Sequence, residues 1–380
     1  MKKTIQVFIA TLFFYICKIL PIKKNQIVFF SLDSGLSDNP KYIYKEFKKS
    51  KKEYKLYWIM SNDKIQHIDN QNNEFVKKYS IKASYILARS KIVITNYRKL
   101  FLFKLKRKQK YIQTWHGTAL KKIEQDVENI LTKSYLLNAK SDSKDCDLMI
   151  SGNEYSTRLL KSKFWYKGEV LNSGTPRNDL MFLKDENLKE EIKTKLGITK
   201  KEKVIMYAPT FRGANIKDLP PIDVGLMLSK LNETNIYAVI LRLHPNVSKG
   251  ININEHYKSS HGKIINGSLH NDMAELLFIT DILITDYSST MFDFSLSHKP
   301  CLLYTYDEEK YVNNDRGVYM SLDELPYSRY KTIEELIEGI KTFNEEQYIK
   351  NITTFFNKLG NYEKGNASKQ VVSYIEKNFL

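Results

Sequence analysis

The sequence predicts an α/β protein of two domains, each built on a parallel, doubly wound sheet. Strand-like apolar runs alternate with segments long enough for helices through both halves of the chain. The chain has 380 residues, and a single hydrophobic core rarely serves more than about 250–300 residues. The charged stretch 184–203 interrupts the alternation. We therefore expect domains at residues 23–185 and 186–380, preceded by a separate segment at residues 1–22.

Nine apolar runs have the length and composition of buried strands. Those of the first half are Gln26–Leu32, Leu56–Met60, Ile92–Thr95, Tyr111–Trp115 and Leu148–Ser151. Those of the second half are Val204–Ala208, Tyr237–Leu243, Ile282–Thr285 and Cys301–Tyr304. Open α/β sheets bind ligands beyond the carboxyl ends of their strands, so polar residues that follow these runs are the candidate site.

The composition is that of a globular protein with a strong basic bias. The formal net charge of +17 favours polyanionic partners, namely nucleic acid, anionic lipid or phosphate-rich substrates. The sequence has no zinc-finger spacing, no aromatic-glycine RNA-binding signature and no basic tail, so we expect no nucleic acid partner. The three cysteines, Cys17, Cys146 and Cys301, are far apart and odd in number, which favours a reducing compartment.

Two segments have the character of membrane contacts. Residues 1–22 combine basic ends with the apolar run Ile5–Ile16, which is shorter than the ~20 residues that a spanning helix needs. We predict a helix that lies in, or docks on, the inner face of a membrane; a core segment or an export signal are the alternatives. The segment Leu100–Lys110 is apolar and then basic, which indicates a second contact, with anionic lipid or a lipid-linked phosphate; a solvated loop is the alternative.

A histidine directly follows the predicted strand Tyr111–Trp115. His116 would lie at the carboxyl end of that strand, where a side chain can reach a ligand, and we predict that it is a general base. Gly117 permits a tight turn, and Thr118 with the next amides would face an anion at the start of a helix predicted after Ala119. The alternative is a histidine that only packs against the preceding tryptophan.

Three strands of the second half also end in polar residues. Arg212 follows the first of them, His244 follows the second, and Asp286, Ser288 and Ser289 follow the third. The two serine hydroxyls and the amides of the next helix would form an anion cradle, with simple capping of that helix as the alternative. Because neighbouring strand ends meet at one edge of a sheet, we predict a cluster of anion ligands there.

The triplet Asp145-Cys-Asp147 has the D-x-D pattern that some nucleotide-sugar enzymes use to hold a metal. It leads directly into the apolar strand at Leu148, and the same triplet is common before strands. We therefore predict no metal site.

Six ordered motifs, taken together, are more specific than any one of them. They are Thr114-Trp-His-Gly-Thr118, Gly174-Thr-Pro-Arg-Asn178, Tyr207-Ala-Pro-Thr-Phe-Arg212, Leu243-His-Pro245, Thr285-Asp-Tyr-Ser-Ser289 and Arg316-Gly317. From Asp38-Asn-Pro40 to about Gly317, the chain resembles the CDP-glycerol glycerophosphotransferases of wall teichoic acid synthesis. That resemblance implies a GT-B fold, in which two Rossmann-like domains face a central cleft.

The resemblance also implies the partners of the chain and their place in the cell. The first domain would bind an undecaprenyl-diphosphate-linked acceptor, and the second would bind a CDP-alditol donor, CDP-glycerol. The protein would be peripheral, on the cytoplasmic side of the cell membrane, and would contact an anionic membrane surface.

The family's pattern further assigns roles to single residues. By resemblance, His116 would be the base and His244 a second essential histidine near the phosphates, while Arg212, Ser288 and Ser289 would contact the donor diphosphate. The other motif residues expected to bind substrate are Trp115, Gly117, Thr118, Asp286 and Arg316.

The expected reaction is an attack by the acceptor hydroxyl, deprotonated by His116, on the phosphorus that bears glycerol, with expulsion of CMP. Phosphoryl transfer depends on positioning and charge neutralisation, so we expect no obligatory metal and no other cofactor. The alternatives are a CDP-ribitol or capsule-polymer relative, a sugar-transferring GT-B enzyme that releases a nucleoside diphosphate, and a basic binding protein without turnover. The chain is closer in length to primases than to polymerases with an extra amino-terminal domain, which leaves one addition or many open.

Overall fold

The computed structural model describes residues 2–32, 35–65, 74–99, 103–212, 222–233, 235–243, 261–309, 311 and 317–380. The chain divides into two compact units. The first comprises Met1–His116, Ile123–Asp179 and Gly360–Leu380, and the second comprises Gly117–Lys122 and Leu180–Leu359.

Both units alternate strands with helices. The strands are β1 (Lys23–Phe30), β2 (Lys55–Met60), β3 (Phe75–Lys77), β4 (Ser90–Thr95), β5 (Lys110–Gln113), β6 (Leu148–Ile150), β7 (Glu169–Leu171), β8 (Lys203–Tyr207), β9 (Tyr237–Leu241), β10 (Lys263–Asn266), β11 (Ile282–Thr285), β12 (Cys301–Tyr304) and β13 (Arg329–Tyr330). The helices are α1 (Lys2–Cys17), α2 (Asp38–Lys48), α3 (Asn62–Ile65), α4 (Ile81–Arg89), α5 (Lys133–Asp145), α6 (Glu154–Lys163), α7 (Glu186–Lys195), α8 (Val224–Leu231), α9 (Met273–Ile279), α10 (Thr290–Ser295), α11 (Ile333–Lys341), α12 (Glu345–Leu359) and α13 (Ala367–Asn378). Short 3-10 helices span Glu124–Ile130, Pro176–Phe182, Gly267–Leu269 and Leu322–Glu324.

Each unit contains one parallel sheet. Within the described ranges, the first sheet has the strand order β3-β2-β1-β4-β5-β6-β7 and the second has β10-β9-β8-β11-β12-β13. In each sheet the order in which the chain adds strands reverses between two neighbours. These neighbours are β1 and β4 in the first unit and β8 and β11 in the second. In such sheets ligands bind beyond the carboxyl ends of the strands at this reversal. The structure thus locates one candidate site in each unit.

The inner strands are buried on both faces. In β1, Val28 packs on one face of the sheet with Phe14 of α1, while Phe29 packs on the other face with Ile43 of α2 and Val371 of α13. A strand covered on both faces needs apolar side chains at successive positions rather than alternating ones. This requirement explains why the inner strands are continuous apolar runs in the sequence.

The predicted fold class is confirmed, and all nine predicted strands are present, with ends that differ by up to three residues. The strands that the sequence did not indicate are β3, β7, β10 and β13, which are the edge strands of the two sheets. Edge strands are covered less completely, and these four are short and partly exposed. They therefore lack the long apolar run that revealed the others.

The carboxyl-terminal helix lies in the first unit, although the sequence alone put residues 186–380 into one domain. Helix α13 inserts Val371, Val372 and Ile375 into the same core as α2. An apolar stripe on a helix predicts burial, but it does not say which sheet the helix will cover. The break after Asp179 lies close to the predicted boundary near residue 185.

Helix α1 is packed against the first unit through one face. Its residues Ala10, Phe14 and Cys17 are buried, and the hydroxyl of Ser84 in α4 donates to the carbonyl oxygen of Ala10 at 2.8 Å. The segment is therefore a helix docked on the domain that follows it. Among the described helices, none is both long enough and apolar enough to cross a membrane.

Candidate active site

His116 follows β5 through a turn that holds its backbone in an unusual conformation. Trp115 has φ 52°, in the left-handed region, which costs a residue with a side chain roughly 1–3 kcal/mol. Two hydrogen bonds offset this strain. The Trp115 amide donates to Oε1 of Gln113 at 2.9 Å, and Nδ2 of Asn39 donates to the Trp115 carbonyl at 3.0 Å. Gly117 continues the turn at φ 123°, where only glycine is unstrained.

The imidazole of His116 has a defined tautomer. Its Nδ1 atom lies 3.0 Å from the backbone carbonyl oxygen of Asn96, the residue that follows β4. A carbonyl oxygen can only accept a hydrogen bond, so Nδ1 carries the proton of the neutral ring. The lone pair is then on Nε2, which can accept a proton from a substrate hydroxyl. The ring of Trp115 stacks on the imidazole at a centroid distance of 4.2 Å and fixes its plane.

An ion pair between Arg177 and Asp38 lies next to this histidine. Nη1 of Arg177 donates to Oδ1 of Asp38 at 2.8 Å, and Nη2 donates to the backbone carbonyl of His116 at 3.0 Å. The other oxygen of Asp38 accepts a hydrogen bond from Nδ2 of Asn96 at 2.6 Å. Asp38, Asn96, His116 and Arg177 therefore form one network at the reversal between β1 and β4. The sequence motifs contained Asp38 and Arg177, but nothing in the sequence gave either of them a role.

The electrostatics of the network keep the histidine neutral and the aspartate charged. Burial lowers the pKa of His116, and this effect exceeds the opposing influence of the Asn96 carbonyl and the Asp38 carboxylate. Burial alone would raise the pKa of Asp38, but the Arg177 guanidinium and its hydrogen bond hold that pKa below its ordinary value. A neutral imidazole at neutral pH is the form that a general base requires.

The carboxyl-terminal segment holds the loop that carries Arg177. Both carboxylate oxygens of Glu363 accept hydrogen bonds from the amide of Thr175, at 3.1 and 2.9 Å. Asp179, at the end of the same loop, accepts the amides of Ala367 and Ser368 at the start of α13. These contacts hold the chain on both sides of Arg177, which gives residues 360–380 a structural role in the first unit.

The buried Arg98 packs against the ring of Trp115. The guanidinium of Arg98 lies 5.7 Å from the centroid of the Trp115 ring and 5.1 Å from that of Phe164. Its charge is balanced by Asp142 and Glu124, each at 3.1 Å. The side chains of Phe164, Arg98, Trp115 and His116 thus form one contiguous cluster, in which Trp115 stacks on His116 and meets Phe164 edge to face.

The helix predicted after Ala119 is absent, and this prediction was wrong. Lys121 instead pairs with Val318 in an antiparallel bridge, and the amide of Lys122 donates to the carbonyl of Gly317 at 3.0 Å. Helical structure begins only at Glu124. The amides after Thr118 therefore do not form the amino terminus of a helix, because residues 120–122 pair with residues 317–319 instead.

In the second unit, Arg212 and Asp286 meet beyond the ends of β8 and β11. Nη1 of Arg212 donates to Oδ2 of Asp286 at 2.6 Å, and Nε and Nη2 donate to the two oxygens of Asp307 at 3.0 and 3.1 Å. Asp286 also accepts the amide and hydroxyl of Thr210. The two carboxylates raise the pKa of Arg212 despite its burial. The guanidinium therefore holds two acidic side chains and stays charged.

This pairing occupies most of the hydrogen-bonding capacity of Arg212. A fourth bond, from Nη1 to the Thr210 carbonyl, brings the number of bonds to four, and a guanidinium has five N–H groups. Its predicted contact with the donor diphosphate remains a prediction. In the structure its observed contacts are with Asp286, Asp307 and Thr210, and its guanidinium also lies 4.7 Å from the ring centroid of Tyr311.

Ser288 and Ser289 differ in the hydrogen bonds of their side chains. The hydroxyl of Ser288 lies 2.9 Å from that of Thr290, whereas the side chain of Ser289, the residue before α10, makes no capping hydrogen bond. Both serines are partly exposed. Close by, Tyr287, Tyr311, Gly317 and Arg329 are among the residues that line a cavity of about 660 Å³, part of which is open to solvent.

Two predicted site residues, His244 and Arg316, lie outside the described residues. In the part of the chain that the structure describes, no group of three or more His, Cys, Asp and Glu side chains could hold a metal ion. Asp145 and Asp147 of the D-x-D triplet are bound by Lys99 at 2.8 Å and Lys110 at 2.7 Å, respectively.

The comparison with known proteins agrees with these motifs. The sequence profile of the family CDP-Glycerol:Poly(glycerophosphate) glycerophosphotransferase matches residues 12–377. The chain is 36% identical to the teichoic acid poly(glycerol phosphate) polymerase of Bacillus spizizenii, over 98% of this chain and 97% of the relative. It is 34% identical to the teichoic acid glycerol-phosphate transferase of Staphylococcus aureus, over 99% and 98% of the two chains.

A solved structure agrees as well. The wall teichoic acid polymerase TagF, in a histidine-to-asparagine variant soaked with CDPG, superposes with a TM-score of 0.87 at 31% identity. The match covers 98% of this chain and 94% of that one. Three findings lead to one conclusion. They are the two parallel-sheet α/β units, the ordered motifs, and the profile match over almost the full length. The chain belongs to the CDP-glycerol:poly(glycerophosphate) glycerophosphotransferase family.

Proposed function

We propose that this enzyme transfers glycerol phosphate from CDP-glycerol to a hydroxyl group of a lipid-diphosphate-linked acceptor in teichoic acid synthesis, with release of CMP. The observation that carries the proposal is the hydrogen bond from Nδ1 of His116 to Asn96, because it leaves Nε2 as the proton acceptor. The relatives named above act, by their names, on glycerol phosphate rather than ribitol phosphate, which favours CDP-glycerol as the donor.

The proposed step is a single displacement at phosphorus. The acceptor hydroxyl loses its proton to Nε2 of His116 and its oxygen forms a bond to the phosphorus that bears glycerol. The bond from that phosphorus to the bridging oxygen breaks, and CMP leaves with the electron pair. Positioning and charge neutralisation govern such transfers. The stacking of Trp115 on His116 and the bond from Arg177 to the His116 carbonyl would supply the positioning.

The second unit would bind the donor. Its candidate residues are Ser288 and Ser289, whose hydroxyls are partly exposed at the end of β11, together with His244 and Arg316. The cavity beside Tyr287, a residue adjacent in the chain to these serines, is the candidate place for the nucleotide. Arg212 and Asp286 would act mainly by holding the strand ends that carry these residues.

The proposed acceptor requires access to a membrane, and α1 offers an apolar surface for it. Opposite its buried face, α1 and the residue two positions after it expose large apolar side chains, among them Phe8 at 70% and Ile19 at 85%. The others are Ile5, Ile9, Leu12, Tyr15 and Ile16. Exposed apolar patches of this kind mark contact sites for membranes or proteins. We propose that this face enters the interface of an anionic leaflet on the cytoplasmic side, as a peripheral attachment.

The basic part of the segment Leu100–Lys110 contacts the residues that directly follow α1. Nζ of Lys18 donates to the carbonyl of Lys104 at 2.9 Å, and Nζ of Lys106 donates to the carbonyl of Leu20 at 2.5 Å. The two segments that the sequence indicated as separate membrane contacts are therefore adjacent. Basic side chains near an anionic leaflet contribute about 1 kcal/mol each, so the adjacency would add charge attraction to apolar insertion.

The test is the identity of the products. The full-length protein is incubated with CDP-glycerol and a polyprenyl diphosphate disaccharide analogue, and the products are separated and weighed by mass spectrometry. We expect CMP and an acceptor heavier by one or more glycerol phosphate groups. Because relatives of matching length are named both polymerase and transferase, the product length also decides between one addition and many. Release of CDP, or no turnover with CDP-glycerol, would contradict the proposal.

A further inference from the structure

The first unit contains a cavity that the proposed chemical step does not use. It has an empty volume of about 760 Å³, part of which is open to solvent. Its walls are mainly apolar. The lining includes the apolar side chains of Ala83, Leu87 and Phe103, together with those of Lys78, Tyr79 and Tyr97.

The cavity lies between α1 and the segment that directly follows β4, whose Asn96 contacts the proposed base. On one side, the ring of Phe103 meets that of Phe14 in α1 edge to face at a centroid distance of 5.3 Å. On the other side, Tyr97 directly follows Asn96, the partner of His116, and its carbonyl accepts a hydrogen bond from Nε2 of Gln113 at 2.7 Å. A molecule in the cavity would therefore lie between residues packed on the buried face of α1 and the segment whose Asn96 contacts His116.

The lining has the chemistry of an amphiphile site. Its apolar side chains offer no hydrogen-bond partner to a sugar or a nucleotide, and burial of an unpaired polar group is costly. Of the polar lining residues, Ser84 already donates to the carbonyl of Ala10 and Lys99 to Asp145. A cation lies at one side, because Nζ of Lys78 is 5.3 Å from the ring centroid of Tyr79, 5.6 Å from that of Tyr97, and 3.5 Å from the hydroxyl oxygen of Tyr97. Hydrocarbon walls beside an ammonium group suit a chain that ends in a phosphate.

We propose that this cavity binds the hydrocarbon chain of the polyprenyl diphosphate that carries the acceptor, with Lys78 close to the diphosphate end. The inference rests on the proposed function, and it adds that the enzyme holds its acceptor by the lipid as well as by the reacting end. The length of the chain bound in the cavity would then contribute to acceptor affinity, at about fourfold for each buried CH₂ group.

The first test fills the cavity. Ala83 is 4% exposed and lines it, whereas Ile81 is exposed on the same helix. In Ala83→Phe, we expect KM for a long-chain polyprenyl acceptor to rise at least ~10-fold, while KM for a water-soluble acceptor without the chain stays as in the unaltered enzyme. The matched control Ile81→Phe adds a ring outside the cavity and should change neither value. Equal effects of Ala83→Phe on both acceptors in a folded protein would overturn the proposal.

This design separates the two hypotheses. Turnover of the water-soluble acceptor tests the proposed function alone, and the ratio of the two KM values tests the cavity. If Ala83→Phe does not fold, labelling of the unaltered enzyme with a polyprenyl diphosphate that carries a diazirine on its chain takes its place. We expect labelled peptides from residues 78–105, protected by unlabelled polyprenyl diphosphate and not by phosphatidylglycerol vesicles. Labelling elsewhere, or equal protection by the vesicles, would contradict polyprenyl binding in the cavity.

Discussion

The Nδ1 atom of His116 lies 3.0 Å from the backbone carbonyl oxygen of Asn96, and the side chain of Asn96 donates to Asp38. One residue thus fixes the tautomer of the proposed base through its backbone and the position of the nearby carboxylate through its amide. The arrangement separates two tasks. Asn96 decides which nitrogen is available, while Asp38 and Arg177 hold the backbone on which the ring is mounted.

The first prediction concerns the base itself. Replacement of His116 by Ala should lower kcat by roughly 10²–10⁴-fold, because the acceptor hydroxyl loses its proton acceptor. Binding of CDP-glycerol, measured by calorimetry, should be nearly unchanged. Near-normal turnover by the folded variant would exclude His116 as the base.

The second prediction concerns pH. Burial lowers the pKa of His116 below 6.5, and the base acts only when it is deprotonated. The rate should therefore rise with pH through a value below 6.5 and reach its plateau near neutrality. Replacement of Asp38 by Asn removes a negative charge that raises this pKa, so the acid limb should move to lower pH. A limb that stays in place, or moves upward, would assign the titration to another group.

The third prediction concerns Arg177 as a positioning residue. Lysine keeps the charge, but it cannot bind Asp38 and the His116 carbonyl with one planar fork. Arg177→Lys should lower kcat about 10-fold or more through misplacement of the ring, with CDP-glycerol affinity retained. Arg158→Lys, on the exposed side of α6, is the matched control and should behave as the unaltered enzyme. A fall in donor affinity without a fall in kcat would contradict the positioning role.

The fourth prediction separates support from ligand binding in the second unit. Arg212→Met leaves Asp286 and Asp307 without their counter-charge, and loss of one partner of a buried ion pair costs about 3–5 kcal/mol. We expect a clear fall in melting temperature. Ser289→Ala should leave the melting temperature unchanged and weaken CDP-glycerol binding by about 0.5–1.5 kcal/mol. If Arg212→Met lost donor affinity at an unaltered melting temperature, Arg212 would be a ligand.

The fifth prediction concerns membrane attachment. Deletion of residues 1–22 would also remove Phe14 and Cys17 from the core of the first unit, so it cannot test attachment alone. The double replacement Phe8→Ser and Leu12→Ser alters only exposed side chains. It should weaken sedimentation with anionic vesicles and make the remaining binding more sensitive to salt, while thermal stability is unchanged. Phe14→Ala, on the buried face, should instead lower the stability. Unaltered sedimentation of the double variant would exclude this face as the anchor.

Much of the fold was predictable because the inner strands are covered on both faces. Runs such as Tyr237–Leu241 and Cys301–Tyr304 need apolar side chains at every position, and that need is visible without a structure. The edge strands β7 and β13 are covered less completely, so their sequences resemble those of loops.

The sequence by itself determined the alternating elements, the motif residues at the strand ends and, through the order of those motifs, the family. The tertiary structure alone decided which of these residues meet. Asp38, Asn96 and His116 are distant in the chain, and they come together because the order of the strands places the ends of β1, β4 and β5 side by side. Arg177 reaches them from the segment after β7, which the carboxyl-terminal residues hold in place. The pairing of Arg212 with Asp286 and Asp307 could not be predicted from the sequence for the same reason. It arises because β8, β11 and β12 are adjacent in the sheet. Burial leaves a local pattern in the sequence, whereas hydrogen bonds between distant strand ends depend on strand order, which no local pattern records.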